Sequence, residues 1–334
     1  MEHIFIAVFS MFVLFYAFFQ FSPRPILDPK RPDTKVLATK TASELEDWLV
    51  NHEAQNPHIV NGAEACIKWA AEPKVTELCF LYIHGFSATR QEIAPVTELI
   101  ADHFNANAVY ARLSGHGVTQ DSMNATAEDW LQSVVDSWEI ASRIGKKVVL
   151  IATSTGAPLS IWLNEQIELK NQLHAMIFLS PNFKIKNPLG FMLTWPWAQY
   201  WIPYIFGKER KWEPENELAA KYWTHRYATK AVIEMQKVVD WASNLKQSSA
   251  HPALATFYMK NDPTINHRAA VNFHKKWQSD YKVLHPVDTN NETPQHVFVG
   301  DIAAPQRNEW CVKASIKFLE SLSVDGIQVS DPLN

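Results

Sequence analysis

Ser154, Asp262 and His296 follow one another in that order along a 334-residue chain, and their side chains suit one piece of chemistry. A serine hydroxyl becomes a competent nucleophile when a histidine takes its proton and an acid fixes the tautomer of that histidine. Ser154 lies in VVLIATSTGAPLS, where a run of β-branched and apolar residues turns small and polar. A strand-to-helix turn that exposes a nucleophile has a strained backbone and closely packed flanks, so its neighbours must be small. Ala152 and Gly156 meet that demand, with Ala152 standing where the G-x-S-x-G pattern has glycine. No other serine has a glycine two residues later. The alternative reading is a serine that merely caps the next helix.

Asp262 follows the apolar run ALATFYM and opens the loop NDPTIN, and His296 lies in NNETPQHVFVGD ahead of the closing segment NEWCVKASIKFLESL. Serine, then acid, then histidine is the order expected when all three sit at strand ends of an α/β sheet. A turn aspartate and an ordinary surface histidine are the competing interpretations. His285 and Asp288 are the nearest rivals for the two roles, while Asp301 follows His296, against the expected order. Acyl transfer also needs backbone N–H groups aimed at the developing oxyanion. In LYIHGFSAT, His84 and Gly85 end a strand in a turn from which the Phe86 N–H can serve, and the Thr155 N–H is the expected second donor. The Phe86 ring is expected in the acyl pocket, with His84 bonding the loop backbone and His116 in a structural role.

The elements that must carry these residues are visible as short apolar runs. CFLYIHGF (79–86), NAVYARLSG (107–115), KVVLIATS (147–154), HAMIFLSPN (174–182) and ALATFYMKND (253–262) have the continuous apolar character of parallel strands covered on both faces. Between them, EDWLQSVVDSWEIAS places Leu131, Val134, Val135 and Trp138 on one helical face. Strands alternating with helices imply a mostly parallel, doubly wound α/β sheet, in which ligands bind beyond the carboxyl ends of the strands.

Composition narrows the function further. A net charge of -4 provides no basic footprint for nucleic acid, so that partner is not expected. Cys66, Cys79 and Cys311 are too few and too scattered for a disulfide framework. There is no HExxH, and Gly115-His116-Gly117 lacks the third glycine of a dinucleotide loop, so neither metal nor cofactor is expected. From Ile4 to Phe19 the chain carries no charge, and with Gln20 and Phe21 it approaches the length of a bilayer-spanning helix. It lacks the basic start and small-x-small exit of a cleaved signal peptide. Arg24, Lys30, Arg31 and Lys35 follow it, which favours a membrane anchor with a cytoplasmic domain; a signal-like segment with a secreted or periplasmic domain is the alternative.

Taken together, YIHGFSAT, ARLSGHG, AEDWL, VVLIATSTGA, the aspartate of KNDPTIN and the histidine of PQHVFVGD resemble α/β-hydrolases of the carboxylesterase, monoacylglycerol lipase and lysophospholipase group over about residues 60 to 320. The resemblance implies an α/β-hydrolase fold with Ser154 as nucleophile, Asp262 as acid, His296 as base, and Phe86 and Thr155 as oxyanion donors. It implies hydrolysis of a hydrophobic, lipid-like ester through an acyl-enzyme. A peptidase, a thioesterase or a non-catalytic binding protein at a membrane are the alternatives. Expected boundaries are an anchor at 1–22, a Pro-rich linker at 23–38, hydrolase core at 39–182 and 246–334, and a cap at 183–245. Within that cap, Trp195, Trp197, Tyr200, Trp201, Tyr204 and Phe206 cluster, either as the cap's own core, as an acyl tunnel or as an interfacial surface.

Overall fold

The computed structural model describes residues 2–38, 41–166, 172–246, 251–289 and 293–322. Helices α1 (Glu2–Phe21) and α2 (Ala42–Ala54) precede strands β1 (Cys66–Lys68) and β2 (Thr76–Ile83). Then α3 (Val96–His103) leads to β3 (Asn107–Tyr110), α4 (Ala127–Ile144) to β4 (Gly145–Thr153), and α5 (Gly156–Asn164) to β5 (Leu173–Leu179). The chain continues through α6 (Ala198–Phe206), β6 (Glu209–Lys211), α7 (Glu217–Tyr222), β7 (Arg226–Ala228) and α8 (Thr229–Asn244). Last come β8 (Ala253–Met259), α9 (His267–Lys276), β9 (Lys282–Val287) and α10 (Asn308–Glu320).

Seven strands form one sheet in the order β1-β3-β2-β4-β5-β8-β9. Only β1 is antiparallel to its neighbour; the other five pairs are parallel. Successive side chains of a strand point to opposite faces, and both faces are covered. Along β2, Cys79, Leu81 and Ile83 pack with Trp130, Val134 and Trp138 of α4. Phe80 and Tyr82 instead enter a second core with Ile100 of α3 and Phe318 of α10. This double burial is why the strands read as unbroken apolar runs.

The helix anticipated around Leu131 is α4, and its start is set by a capping box. Thr126 Oγ1 accepts the Asp129 N–H at 3.2 Å, and the Asp129 carboxylate accepts the Thr126 N–H at 2.9 Å. The strands end earlier than their apolar runs. Ala111 and Leu113 lie beyond the end of β3 yet remain buried, because the loops at the carboxyl edge are covered. Neither α2 nor β1 was anticipated, and β1 is too short to show a period. Within the segment expected as a cap, α8 does not stand apart: Met235, Val238 and Val239 belong to the same core as α4 and α5.

Helix α1 is the one candidate membrane span among the described residues, with its apolar window Ile4–Phe21 unburied throughout. The stretch after it, 23–38, forms no helix or strand and is strapped to the core. Leu27 and Val36 are buried in the core of α4 and α5. Trp162 Nε1 donates to the Pro29 carbonyl at 3.0 Å, and the Asp136 carboxylate accepts from Lys35 N (2.7 Å) and Thr34 Oγ1 (3.0 Å). Backbone polar groups that find partners in a neighbouring helix need no regular structure of their own. Asp136→Ala is expected to release this strap, speed tryptic cutting at Lys30, Arg31 and Lys35, and lower stability by about 1–2 kcal/mol. Limited proteolysis read by mass spectrometry checks the prediction, and an unchanged cutting rate contradicts it.

Candidate active site

Ser154 occupies the turn between β4 and α5 with a φ of 50°. A left-handed backbone is costly for a residue with a Cβ and persists only where surrounding bonds over-determine it. The Ser154 N–H donates to the Leu179 carbonyl at 3.0 Å. Its own carbonyl accepts from Ala157 N at 3.1 Å and Asn182 N at 3.0 Å. A Cβ on Gly156 would overlap the Ile83 carbonyl oxygen, so the glycine lets α5 begin against β2. Ala152 is fully buried on the strand and fits there with its methyl group.

Asp262 leaves the end of β8 in the turn that leads to α9. Its Oδ1 accepts from Thr264 N at 2.7 Å and Ile265 N at 2.9 Å, and its Oδ2 accepts from His296 Nδ1 at 2.8 Å. Nε2 of the same imidazole lies 2.8 Å from Ser154 Oγ, which donates to it in the tautomer that Asp262 imposes. Ser180 Oγ, at the end of β5, donates to the His296 carbonyl at 2.7 Å and steadies its loop. Burial would raise the Asp262 carboxyl, but the His296 charge and hydrogen bond, with the Ile265 and Thr264 N–H groups, hold it below its ordinary value. Its side chain is fully enclosed, whereas that of His296 is 17% exposed and can reach a substrate.

The structure thus brings Ser154, Asp262 and His296 together, and leaves their rivals elsewhere. His285 stacks on Phe257 with ring centroids 4.5 Å apart, and the Asp301 carboxylate accepts from Asn308 Nδ2 at 2.8 Å. Asp288 lies just past the end of β9. His84 is buried and holds the loop backbone: Nδ1 donates to the Gly85 carbonyl at 2.9 Å and Nε2 accepts from Leu113 N at 3.1 Å. Burial, with help from the Arg112 charge, lowers it to about 4, so it stays neutral. His116 is likewise buried, and its Nδ1 donates to the Ser114 carbonyl at 3.1 Å.

Ser154 opens on a cavity of about 850 Å³ that Phe86 and Thr155 also line. No hydrogen bond to another described residue occupies the N–H of either, so both are free to meet an oxyanion. The Phe86 ring stands edge-on to Tyr227 at 5.2 Å and forms part of the wall. The six clustered aromatics of the insertion do not line this cavity. Their helix buries Ala198 and Ile202 instead, leaving Trp197, Tyr200 and Tyr204 exposed, while Trp195 meets Phe19 of α1 at 5.3 Å. The apolar wall comes from Trp212, Trp223, Tyr227 and Met235, which sequence reasoning did not single out. Glu92, buried behind the Gly85–Phe86 turn, was also missed, because its polar neighbours Arg90 and Gln91 give no sign of that burial.

No protein-family model matches the sequence, and no curated protein matches it. Solved structures do share its fold. A metagenome-derived lipolytic enzyme of the LipS and LipT pair is 16% identical, covers 79% of this chain and 99% of its own, and superposes with a TM-score of 0.62. The monoacylglycerol lipase of Paleococcus ferrophilus is 15% identical over 78% of this chain and 100% of its own, with a TM-score of 0.59. A soluble variant of the Saccharomyces cerevisiae monoglyceride lipase is 11% identical over 78% and 92%, with a TM-score of 0.56. The chain has the α/β-hydrolase fold.

The lowered Asp262 carboxyl has a consequence for stability. Folding favours its ionised form, so the contribution is present above the unfolded carboxyl's pKa and is lost as pH falls through the folded value. Asp262→Asn is therefore expected to flatten the acid side of the stability profile, read from urea midpoints at successive pH values. An acid slope identical to that of the parent protein contradicts this.

Proposed function

We propose that this protein is a serine hydrolase that cleaves carboxylic esters with a hydrophobic acyl chain through an acyl-enzyme. The observation that carries the reading is the hydrogen-bonded chain from Ser154 Oγ through His296 to Asp262, opening on a largely apolar cavity. As Ser154 Oγ attacks the ester carbonyl carbon, its proton passes to His296 Nε2 and the carbonyl electrons move to oxygen, facing the Phe86 and Thr155 N–H groups. The C–O bond to the alcohol then breaks, and the departing oxygen takes the proton from His296. Water repeats the sequence: it gives a proton to His296, attacks the acyl carbon, and releases the carboxylic acid as Ser154 regains its proton.

The cavity also bears on the leaving group. Glu213 and Glu215 contribute to its lining, and among the described residues no Lys or Arg does. An anionic headgroup there meets repulsion and finds no cation, whereas a glycerol headgroup loses nothing. The likeness to lipolytic enzymes and monoacylglycerol lipases agrees with a neutral lipid ester.

The full-length protein is expected to hydrolyse medium- and long-chain p-nitrophenyl esters and to prefer a monoacylglycerol over the matching lysophosphatidate. Ser154→Ala is expected to lower turnover by about three orders of magnitude or more. Retained turnover in that variant overturns the reading, and silence on esters with Ser154 still labelled by a fluorophosphonate redirects it to amides or thioesters. Helix α1 and the cationic residues after it support an anchor with the enzyme on the cytoplasmic side. The protein should then stay in the membrane fraction through alkaline carbonate washing; release into the supernatant contradicts an anchor.

A further inference from the structure

We infer that Glu92 is a positioning residue for this reaction: its carboxylate fixes the oxyanion loop at Gly85 and sets a negative charge behind the Ser154 and His296 pair. The inference rests on the serine-hydrolase reading and concerns a residue that does not line the cavity. Glu92 ends a 3-10 turn, Arg90–Glu92, and is 1% exposed. Its Oε1 accepts from Gly85 N at 2.6 Å and from Tyr82 Oη at 2.6 Å. Tyr82 Oη also lies 3.0 Å from Thr153 Oγ1, on the residue before Ser154. The next peptide unit is held from the other side, because His84 Nδ1 donates to the Gly85 carbonyl at 2.9 Å. Glu92 and His84 thus fix two consecutive peptide planes, the second of which carries the Phe86 N–H.

Three segments of the site meet at Glu92. A Cβ on Gly85 would lie 3.1 Å from Ser154 Cβ and 3.2 Å from Glu92 Oε2, so loop, nucleophile and acid are in close packing. A Cβ on Gly300 would overlap the Glu92 carbonyl oxygen, so the chain leaving His296 closes on the backbone of Glu92. Asp301 N then donates to the Ala94 carbonyl at 2.8 Å. The titratable groups that bear on Glu92 are Tyr82 and His296. Arg90, on its own turn, is engaged with Glu64, and the Asp301 carboxylate with Asn308. No Lys or Arg side chain among the described residues pairs with Glu92.

An unpaired buried carboxylate is an expensive way to accept two hydrogen bonds, since a glutamine amide oxygen accepts both without a charge. Burial pushes the Glu92 carboxyl up to about 7, against the Tyr82 and Gly85 hydrogen bonds and the His296 charge, which lower it. With its folded pKa raised, the stability it contributes is present below the unfolded value and lost as pH rises through about 7. Above that pH the ionised side chain is a burden on folding that catalysis can use. When His296 takes the serine proton, the imidazolium gains a second fixed negative charge besides Asp262.

The test uses the full-length protein, a soluble p-nitrophenyl ester, and Glu92→Gln beside Ser154→Ala. Glu92→Gln is expected to melt at or above the parent temperature at pH 8, yet to lose about tenfold to a hundredfold in kcat with KM within about twofold. The acid limb of its kcat/KM profile should also fall from a two-proton to a one-proton dependence. A folded Glu92→Gln with parental kcat and pH profile overturns the inference. Tyr82→Phe provides the second reading: it removes a donor to the ionised carboxylate, so the acid limb should move to higher pH, and an unmoved limb counts against the inference. If Ser154→Ala retains activity, the hydrolase reading itself fails. If Ser154→Ala is inactive while Glu92→Gln behaves as the parent, only the role of Glu92 fails.

Discussion

The left-handed backbone of Ser154 is the constraint on which the remaining geometry hangs. A φ of 50° at a serine is held by hydrogen bonds to Leu179 on β5, to Ala157 on α5 and to Asn182 beyond β5. Those partners exist because β4 is a central strand, bounded by β2 on one side and β5 on the other. The tolerance on the far side of the turn is equally narrow, since α5 starts against the Ile83 carbonyl with room only for Gly156. A sheet buried on both faces is rigid enough to store such strain, and in return it projects one hydroxyl beyond its carboxyl edge.

The other members of the site are delivered by loops, and each loop is tied to a different part of that edge. Asp262 is locked by two N–H groups of its own turn, His296 by Asp262 and by Ser180, and the Gly85–Phe86 turn by His84 and Glu92. Because Asp262, Ser180, His84 and Glu92 are buried, water competes poorly for these hydrogen bonds and the loops have little freedom to drift. The segments around β6 and α7 supply the aromatic wall of the cavity, while α6 buries Ala198 and Ile202 and leaves Tyr200 and Tyr204 exposed, with Trp195 just ahead of it against Phe19 of α1.

The chemistry could be read from the sequence where it coincides with a strand end. Ser154 and Asp262 each follow an apolar run, His296 lies in the loop after the strand-like run YKVLHPV, and the chain order separates Asp262 from Asp301 without coordinates. The alternation of β2 between two cores likewise follows from an unbroken apolar run that must be covered on both sides. What stayed hidden depends on distant pairing. The strand β1 has three residues and joins the sheet only through β3, and the strap over α4 shows no periodicity because its order comes from Asp136 and Trp162. The aromatics that crowd together at 195–206 drew attention by density, yet density along the chain does not say which face a helix buries. Trp212 and Trp223, lone tryptophans in polar surroundings, are the ones that reach the cavity.

The electrostatics of the site rest on a division between two enclosed carboxyl groups. Asp262 is surrounded by donors and bonded directly to His296, and its charged form is favoured despite burial. Glu92 accepts only two hydrogen bonds and is pushed the other way by burial. Environments that drive two like groups apart assign them different work. Asp262, held below its ordinary value, is ionised near neutrality and orients the imidazole. Glu92, pushed up to about 7, is the carboxyl whose charge changes near neutrality. Burial pushes both groups up: at Asp262 the His296 charge and hydrogen bond, with the Ile265 and Thr264 N–H groups, outweigh it, while at Glu92 the Tyr82 phenol, the Gly85 N–H and the His296 charge offset it only in part.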